Sequence, residues 1–310
     1  IIYSTILCAV SLSLFYFGMK KYSTDINFYY LIYFYLCVLA SISGLLAYSV
    51  SRVITKNTII NFELKRKENI IYEDLKLAQQ IQNKIISTDH FKFDNLNIDI
   101  IFRPMIQVGG DIYDVYKFAN GNYRIFLADA TGHGVQAALT TMLIKAEYEK
   151  IKEFEIDAAQ VLAVFNDTFT KSYFSLNVFL TSIIIDIDFK NNKIHYSSAG
   201  HPTQYLIKSN KDVEMLKSTG KMLGLLENMK YELNTLCFSK GDKLILFTDG
   251  VFEQFNYSNE EFGEDKLVKL IDKNKHKKPQ DINKKIISEI EKWCSNEFND
   301  DITIMNFEIN

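Results

Sequence analysis

The pattern of hydrophobic and polar positions divides the chain into an apolar N-terminal part, a helical middle part and a long region dominated by strands. No charged side chain occurs in residues 1–19 or 28–50, and each run has roughly the 20 residues that a transmembrane helix needs. We therefore predict two transmembrane helices within a membrane segment, residues 1–50. Lys20 and Lys21 follow the first run without a small-residue cleavage site, which argues against a signal peptide.

The charges that flank the second run predict the orientation in the membrane. The loop between the two runs contains Lys20, Lys21 and Asp25, whereas five basic residues follow the second run: Arg52, Lys56, Lys65, Arg66 and Lys67. Because the more basic side of a membrane protein faces the cytoplasm, we expect everything after Ser51 to be cytoplasmic.

Residues 57–87 contain neither glycine nor proline and predict a continuous helix. Apolar residues recur every seven positions, at Leu64, Ile71, Ala78 and Ile85, as in a coiled coil. Two interpretations stay open: a helix that forms a homodimer and transmits a membrane signal, and a helix that packs on its own domain. We assign residues 51–90 to this linker and residues 91–310 to a separate domain.

The remaining region alternates strands and pairs of helices without the βαβ pattern of parallel sheets. It therefore predicts an α+β fold with antiparallel sheets. The predicted strands cover residues 96–102, 112–118, 123–128, 178–189, 193–198, 204–208, 243–248 and 302–309. The predicted helices cover residues 135–154, 157–174, 264–272 and 281–294.

Candidate chemistry begins with two carboxylates at the ends of a predicted hairpin. Asp111 starts one strand, Asp129 ends the next, and Asn120-Gly121 lies between them as a turn. Antiparallel pairing would place the two carboxylates side by side. Adjacent buried carboxylates repel one another, and a divalent cation is the simplest compensation. Hard cations such as Mg²⁺ or Mn²⁺ prefer oxygen ligands.

Two further acidic clusters also stand at strand ends. Asp249 follows a strongly apolar strand, and Asp300-Asp301 directly precedes the last strand. Each has a simpler explanation alone, because Asp-Gly favours turns and aspartate often caps backbone amides. Together, the four sites favour a two-metal centre, which activates water and neutralises phosphoryl oxygens.

Net charge and cysteine content narrow the choice of function. The net charge of −3 does not favour nucleic acid as a partner. The four cysteines lack metal-type spacing and fit a reducing cytosol. A metal nuclease or small-molecule phosphoesterase is disfavoured because no basic or aromatic nucleic-acid face is evident.

The ordered motifs GGDIYD, DATGHG, SSAGHP, GDKLILFTDGVFEQ, FGEDKL and DDIT resemble the SpoIIE/RsbU family of bacterial PPM-type (protein phosphatase 2C-like) serine/threonine phosphatases. The resemblance covers residues 77–309. It implies a sandwich of two antiparallel β-sheets flanked by helices and two divalent cations, Mn²⁺ or Mg²⁺. It further implies a phosphoserine or phosphothreonine protein substrate, commonly a STAS-type anti-sigma-factor antagonist. Together with the two apolar runs and the basic residues after them, we expect an enzyme at the inner (cytoplasmic) membrane.

The resemblance also assigns candidate roles to individual residues. Asp129 matches the carboxylate that bridges both metals, and the backbone carbonyl of Ala130 matches a further ligand. Asp249 and Asp300 match the ligands that complete the first metal site, with Asp301 as the alternative to Asp300. Asp111 matches an acidic residue that reaches a metal or its water shell.

Other residues near these motifs have weaker assignments. His133 is a candidate general acid for the leaving serine oxygen, with a loop-shaping hydrogen bond as the alternative. We expect Asp114 to be structural and His201 to fix a turn near the cleft. Arg103 either meets phosphate or forms a structural ion pair. The main alternative to an active phosphatase is a non-catalytic membrane signalling scaffold, a pseudophosphatase.

Overall fold

The computed structural model describes residues 2–21, 26–86, 93–132, 134–294 and 298–310. The chain divides into two compact units, Ile1–Glu73 and Asp74–Asn310. The helices are α1 (Ile2–Lys21), α2 (Ile26–Ile86), α3 (Val135–Glu149), α4 (Ala158–Tyr173), α5 (Glu264–Asn274) and α6 (Pro279–Trp293). The strands are β1 (Leu96–Arg103), β2 (Asp111–Lys117), β3 (Tyr123–Ala130), β4 (Leu180–Asp188), β5 (Lys193–Ala199), β6 (Gln204–Ile207), β7 (Val213–Leu216), β8 (Asn234–Cys237), β9 (Lys243–Phe247) and β10 (Ile302–Ile309).

The N-terminal unit contains α1 and most of α2. Among the described residues, one helix is long and apolar enough to cross a bilayer, over Tyr29–Ile86, and it includes the second predicted span. The described apolar part of α1, Ala9–Gly18, is shorter than a span requires, so the first transmembrane helix stays a prediction. The predicted linker helix is present as the continuous C-terminal part of α2.

The C-terminal unit contains two antiparallel five-stranded sheets, which confirms the predicted α+β class. Sheet A has the strand order β1-β10-β9-β6-β7, and sheet B has the order β2-β3-β4-β5-β8. Helices α3 and α4 contact sheet B, whereas α6 contacts β1 and β10 of sheet A and packs against α5. Each of the two sheets is therefore covered by helices, which is the arrangement of a sandwich with outer helical layers.

Alternation along β9 shows how sheet A separates two apolar cores. Leu244 and Leu246 belong to the large core shared with sheet B, whereas Ile245 and Phe247 belong to a second core with α5 and α6. Successive side chains of a strand point to opposite faces, so a fully buried strand needs apolar residues at every position. This explains the continuous run Leu244–Phe247.

Candidate metal centre

The hairpin of β2 and β3 has the predicted register. Asp111 lies directly opposite Asp129, and the pairing continues to Lys117 and Tyr123. The turn is closed by a hydrogen bond from the Gly121 amide to the Phe118 carbonyl, with Gly121 at φ 88°. The two carboxylates are thus neighbours at the edge of sheet B, as expected from the sequence.

Asp111 is held by side chains of the opposite sheet. Only 1% of its surface is exposed, and one carboxylate oxygen accepts hydrogen bonds from the hydroxyls of Thr248 at 2.7 Å and Thr303 at 2.6 Å. Burial raises the pKa of Asp111 well above its ordinary value. The two threonine hydroxyls oppose this rise, while the charges of Asp301 and Asp249 add to it. Asp111 therefore links the two sheets at the edge where the acidic residues meet.

Asp129 and Asp249 extend the cluster. Burial raises the pKa of Asp129 well above its ordinary value, and the charges of Asp111, Asp249, Asp300 and Asp301 raise it further. The pKa of Asp249 is raised by burial and is partly restored by hydrogen bonds to backbone amides and to the Asp129 carboxyl group. The acidic residues from four strand ends therefore interact electrostatically, and full ionisation of all of them is unfavourable.

Asp300 and Asp301 have different surroundings. Asp301 is 5% exposed and accepts hydrogen bonds from the amides of Met105, at 2.7 Å, and Gly110. The Asp300 carboxylate accepts the amide of Asp301 at 2.8 Å. Asp301 thus orders the loop that precedes Asp111.

Gly250 allows the strand ends to approach closely. A Cβ atom at Gly250 would lie 1.9 Å from the backbone oxygen of Asp301, which no side chain can accommodate without a backbone shift. Gly110 makes a similar approach to β3: its added Cβ atom would lie 3.0 Å from the carbonyl oxygen of Ala130. The glycine next to each aspartate therefore brings Asp249 near Asp300-Asp301, and Asp111 near Ala130.

The two histidines of the motifs follow strands β3 and β5 in the sequence. His133 lies outside the described residues. His201 is buried, and its Nδ1 atom is 2.8 Å from the hydroxyl of Thr181, the residue of β4 that pairs with Asp129. Burial lowers the pKa of His201 to about 3, so its imidazole is neutral at physiological pH. These contacts agree with the expected structural role of His201.

Two other charged residues of the motifs have structural partners. Asp114 forms ion pairs with Lys145 at 3.0 Å and Lys152 at 3.7 Å, as expected for a structural residue. Arg103 forms an ion pair with Glu291 of α6. This pairing corresponds to the structural alternative for Arg103.

Gln82 of α2 also reaches the loop that precedes Asp111, a contact that the sequence pattern did not predict. It is 1% exposed, and its amide nitrogen donates to the Gly109 carbonyl at 2.7 Å and the Thr141 hydroxyl at 3.0 Å. Its amide oxygen accepts the Gly109 N–H at 3.2 Å. The available signal was a polar residue one turn before the buried Ile86, on the same helix face.

The chemistry of the cluster fits divalent cations. Its donors are carboxylate and carbonyl oxygens, which hard cations prefer, and positive charge would relieve the repulsion that raises the pKa values of Asp111 and Asp129. Among the described residues, no group of three or more Asp, Glu, His or Cys side chains has the spacing of a finished metal cage. The strand ends nevertheless lie together, and aspartate side chains reorient around an ion more easily than strands move.

This architecture, two antiparallel sheets with outer helices, is that of the PP2C-type phosphatases. The structure superposes on the SiaA-PP2C domain of Pseudomonas aeruginosa with a TM-score of 0.70 and 22% identity, covering 78% of this chain and 98% of that chain. It also matches the PP2C phosphatase domain of SpoIIE from Bacillus subtilis with a TM-score of 0.57 and 20% identity, covering 71% of this chain and 64% of that chain.

Within this class, the chain belongs to the SpoIIE family. The family model for stage II sporulation protein E matches residues 119–310. Phosphoserine phosphatase RsbU of Bacillus subtilis is 27% identical over 236 residues, which is 76% of this chain and 70% of RsbU. Phosphoserine phosphatase RsbP of the same organism is 26% identical over 184 residues, 58% of this chain. That match spans 45% of the length of RsbP.

Proposed function

We propose that the chain is a membrane-tethered, metal-dependent protein serine/threonine phosphatase. The observation that carries this proposal is the convergence of Asp111, Asp129, Asp249 and Asp300 at one edge shared by the two sheets. The names of two relatives, both phosphoserine phosphatases, support the reaction class.

The proposed ligands come from three strand ends and one backbone carbonyl. Asp129, Asp249, Asp300 and the backbone carbonyl of Ala130 would hold two Mn²⁺ or Mg²⁺ ions, with Asp129 as the ligand that the resemblance assigns to both. When bound, the cations lower the pKa of coordinated water and neutralise charge on the phosphoryl oxygens.

Residues of the chain itself would orient the acidic cluster and protonate the leaving group. The hydroxyls of Thr248 and Thr303 fix one carboxylate oxygen of Asp111, and this carboxylate would meet a metal or its water shell. His133 is the candidate donor of a proton to the leaving serine oxygen, and the loop-shaping alternative stays open.

The substrate and partners follow from the family resemblance. We propose a phosphoserine or phosphothreonine protein as substrate, with a STAS-type anti-sigma-factor antagonist as the first candidate. The apolar part of α2 supports a membrane tether, and the basic residues that follow it support a catalytic domain in the cytoplasm. We retain residues 1–50 as the membrane segment, 51–90 as the linker and 91–310 as the phosphatase domain, with homodimerisation through the linker helix.

The linker also has a proposed regulatory role. Gln82 supports a coupling in which movement of α2 shifts the population of active centres through Gly109 and Thr141. Asp74 interrupts the apolar heptad stripe, so Asp74→Leu should change both dimerisation and basal activity. If neither changes, signalling through a coiled coil is refuted.

The test of the catalytic proposal is turnover of phosphorylated candidate antagonists with and without Mn²⁺. We expect metal-dependent release of phosphate that Asp129→Asn abolishes while the fold is retained. Turnover of p-nitrophenyl phosphate provides a substrate-independent readout. Binding of a phosphoprotein without hydrolysis of either substrate would instead favour the scaffold.

A further inference from the structure

A second surface with recognisable chemistry lies between α5 and α6, outside the acidic cluster. Here an open groove of about 450 Å³ separates the two helices, a volume within the range of about 300–1,000 Å³ typical of ligand sites. Its lining combines aromatic, aliphatic and basic side chains: Phe262, Lys266, Lys269, Leu270, Lys273, Glu289, Lys292 and Trp293.

The apolar groups form the floor of the groove, and the lysines form its rim. Phe262 is 6% exposed and contacts the ring of Trp293 edge-on, with a centroid distance of 6.0 Å. The Trp293 indole N–H donates to the carbonyl of Glu260 at 3.2 Å, which fixes the ring. The ammonium of Lys266 lies 3.5 Å from the centre of that ring. Ordered aromatic groups of this kind are typical anchors in protein interfaces.

The charge of the groove is positive. Residues 264–293 contain nine lysines and six acidic residues, whereas the whole chain has a net charge of −3. The acidic lining residue, Glu289, is paired with Lys285 and Lys292, and these partners lower its pKa to about 2. Within the part of the chain that the structure describes, Lys269 and Lys273 form no ion pair. Their charges are therefore available to a ligand.

The arrangement of these groups indicates the kind of ligand. Lys266, Lys269 and Lys273 are spread along one face of α5 for about 10 Å, at 1.5 Å per residue, which is longer than a single phosphate group. The groove is open, and Phe262 is the most buried of its apolar groups, so a ligand reaches it by extending a side chain between the lysines. A bilayer surface presents no such protrusion, whereas an acidic peptide with one aromatic residue presents both features.

We propose that the groove between α5 and α6 binds an acidic peptide segment of a partner protein through one aromatic anchor and several carboxylates. The anchor occupies the floor at Phe262, Leu270 and Trp293, and the carboxylates meet Lys269 and Lys273. This proposal does not depend on catalysis, because none of these residues belongs to the acidic cluster.

Trp293 makes the proposal directly measurable, since it is the one tryptophan of the chain. The experiment uses the full chain in phosphatidylcholine nanodiscs and a short fluorescent peptide of Glu and Asp with one central Phe. We expect the peptide to change the emission of Trp293, its own anisotropy to rise, and added salt to weaken both effects. A peptide with Ser in place of the Phe should bind several-fold more weakly.

Paired variants separate a specific groove from general attraction. Lys269→Glu with Lys273→Glu should lower the affinity about tenfold or more, since each position changes from attraction to repulsion. The matched control, Lys277→Glu with Lys284→Glu, makes the same charge change outside the lining, at one residue between the two helices and one residue of α6. It should lower the affinity less than about threefold.

Several outcomes would overturn the proposal. These are absence of peptide binding, equal losses in the two double variants, equal binding of the Ser peptide, or a Trp293 response confined to phosphatidylserine vesicles. Turnover of p-nitrophenyl phosphate by the Lys269 and Lys273 double variant should equal that of the original chain. A result that refutes peptide binding in the groove is thus distinguishable from a result that refutes the proposed phosphatase activity.

Discussion

Gln82→Leu is the most informative single change, because Gln82 joins α2 to the loop before Asp111. The substitution keeps a similar volume but removes the partners of both the N–H and the C=O of Gly109. A buried backbone group without a partner costs about 1–3 kcal/mol. Thr141 is not orphaned, because its hydroxyl also donates to the Ala138 carbonyl at 2.7 Å. With two such groups, we therefore expect the free energy of unfolding to fall by about 2–6 kcal/mol.

Activity should fall further than stability alone explains. Relaxation of Gly109 displaces the start of β2, and a displacement of about 1 Å in a catalytic group can cost on the order of 100-fold in rate. The assays are urea unfolding and p-nitrophenyl phosphate turnover with saturating Mn²⁺, under conditions where the variant is folded. The matched control is Gln80→Leu, at an exposed position of the same helix. If both variants behave alike, the proposed link between α2 and the centre is refuted.

Three further changes test the centre itself. Gly250→Ala should abolish turnover and lower the urea midpoint, because its Cβ would lie 1.9 Å from the Asp301 carbonyl oxygen; turnover at the original level would contradict this close approach. The raised pKa of Asp129 means that the folded metal-free protein binds the extra proton, so its stability falls as pH rises above the ordinary value of 3.8. Chelator-treated Asp129→Asn should therefore have a higher urea midpoint than the original chain at neutral pH; a lower one would refute the repulsion. Burial lowers the pKa of His201 from 6.5 to about 3, so the folded protein favours the neutral imidazole. The resulting contribution to the free energy of unfolding is complete above pH 6.5 and declines by up to about 4 kcal/mol as the pH falls towards 3. Urea midpoints of His201→Gln should decline less over that interval, and parallel profiles would exclude His201 as the cause.

The parts predicted correctly from sequence are those fixed by neighbouring residues. The register of Asp111 with Asp129 follows from the length of the β2–β3 hairpin and its Asn120-Gly121 turn. Strand β10 was predicted with its observed bounds, Ile302–Ile309, because its apolar run is preceded by two aspartates. Such signals lie within a few residues of the feature that they predict.

Elements without a local signal were missed or mispredicted. Strands β7 and β8 have four residues each, and three of the four positions of β8 are exposed, so neither has a recognisable apolar pattern. Helix α3 was predicted to reach residue 154 but ends at Glu149. The reason is Arg124 of β3, whose guanidinium donates hydrogen bonds to the carbonyls of Lys152, Phe154 and Ile156. A contact between distant residues thus overrides the local helical preference.

The loop Gly109-Gly110 explains why the centre could be only partly predicted. Its backbone groups are bonded by Gln82 of α2 and Asp301 beside β10, and the Gly110 carbonyl accepts the amide of Ala130 at 3.1 Å. Three elements that are distant in sequence therefore determine the position of Asp111 at the start of β2. Under the coupling that we propose, movement of Gln82 would change the free energy of the centre only by the difference between its hydrogen bonds before and after the movement. At about 1–3 kcal/mol, that difference would correspond to roughly 5–150-fold in the population of the active form, which is the size of effect that the proposed coupling requires.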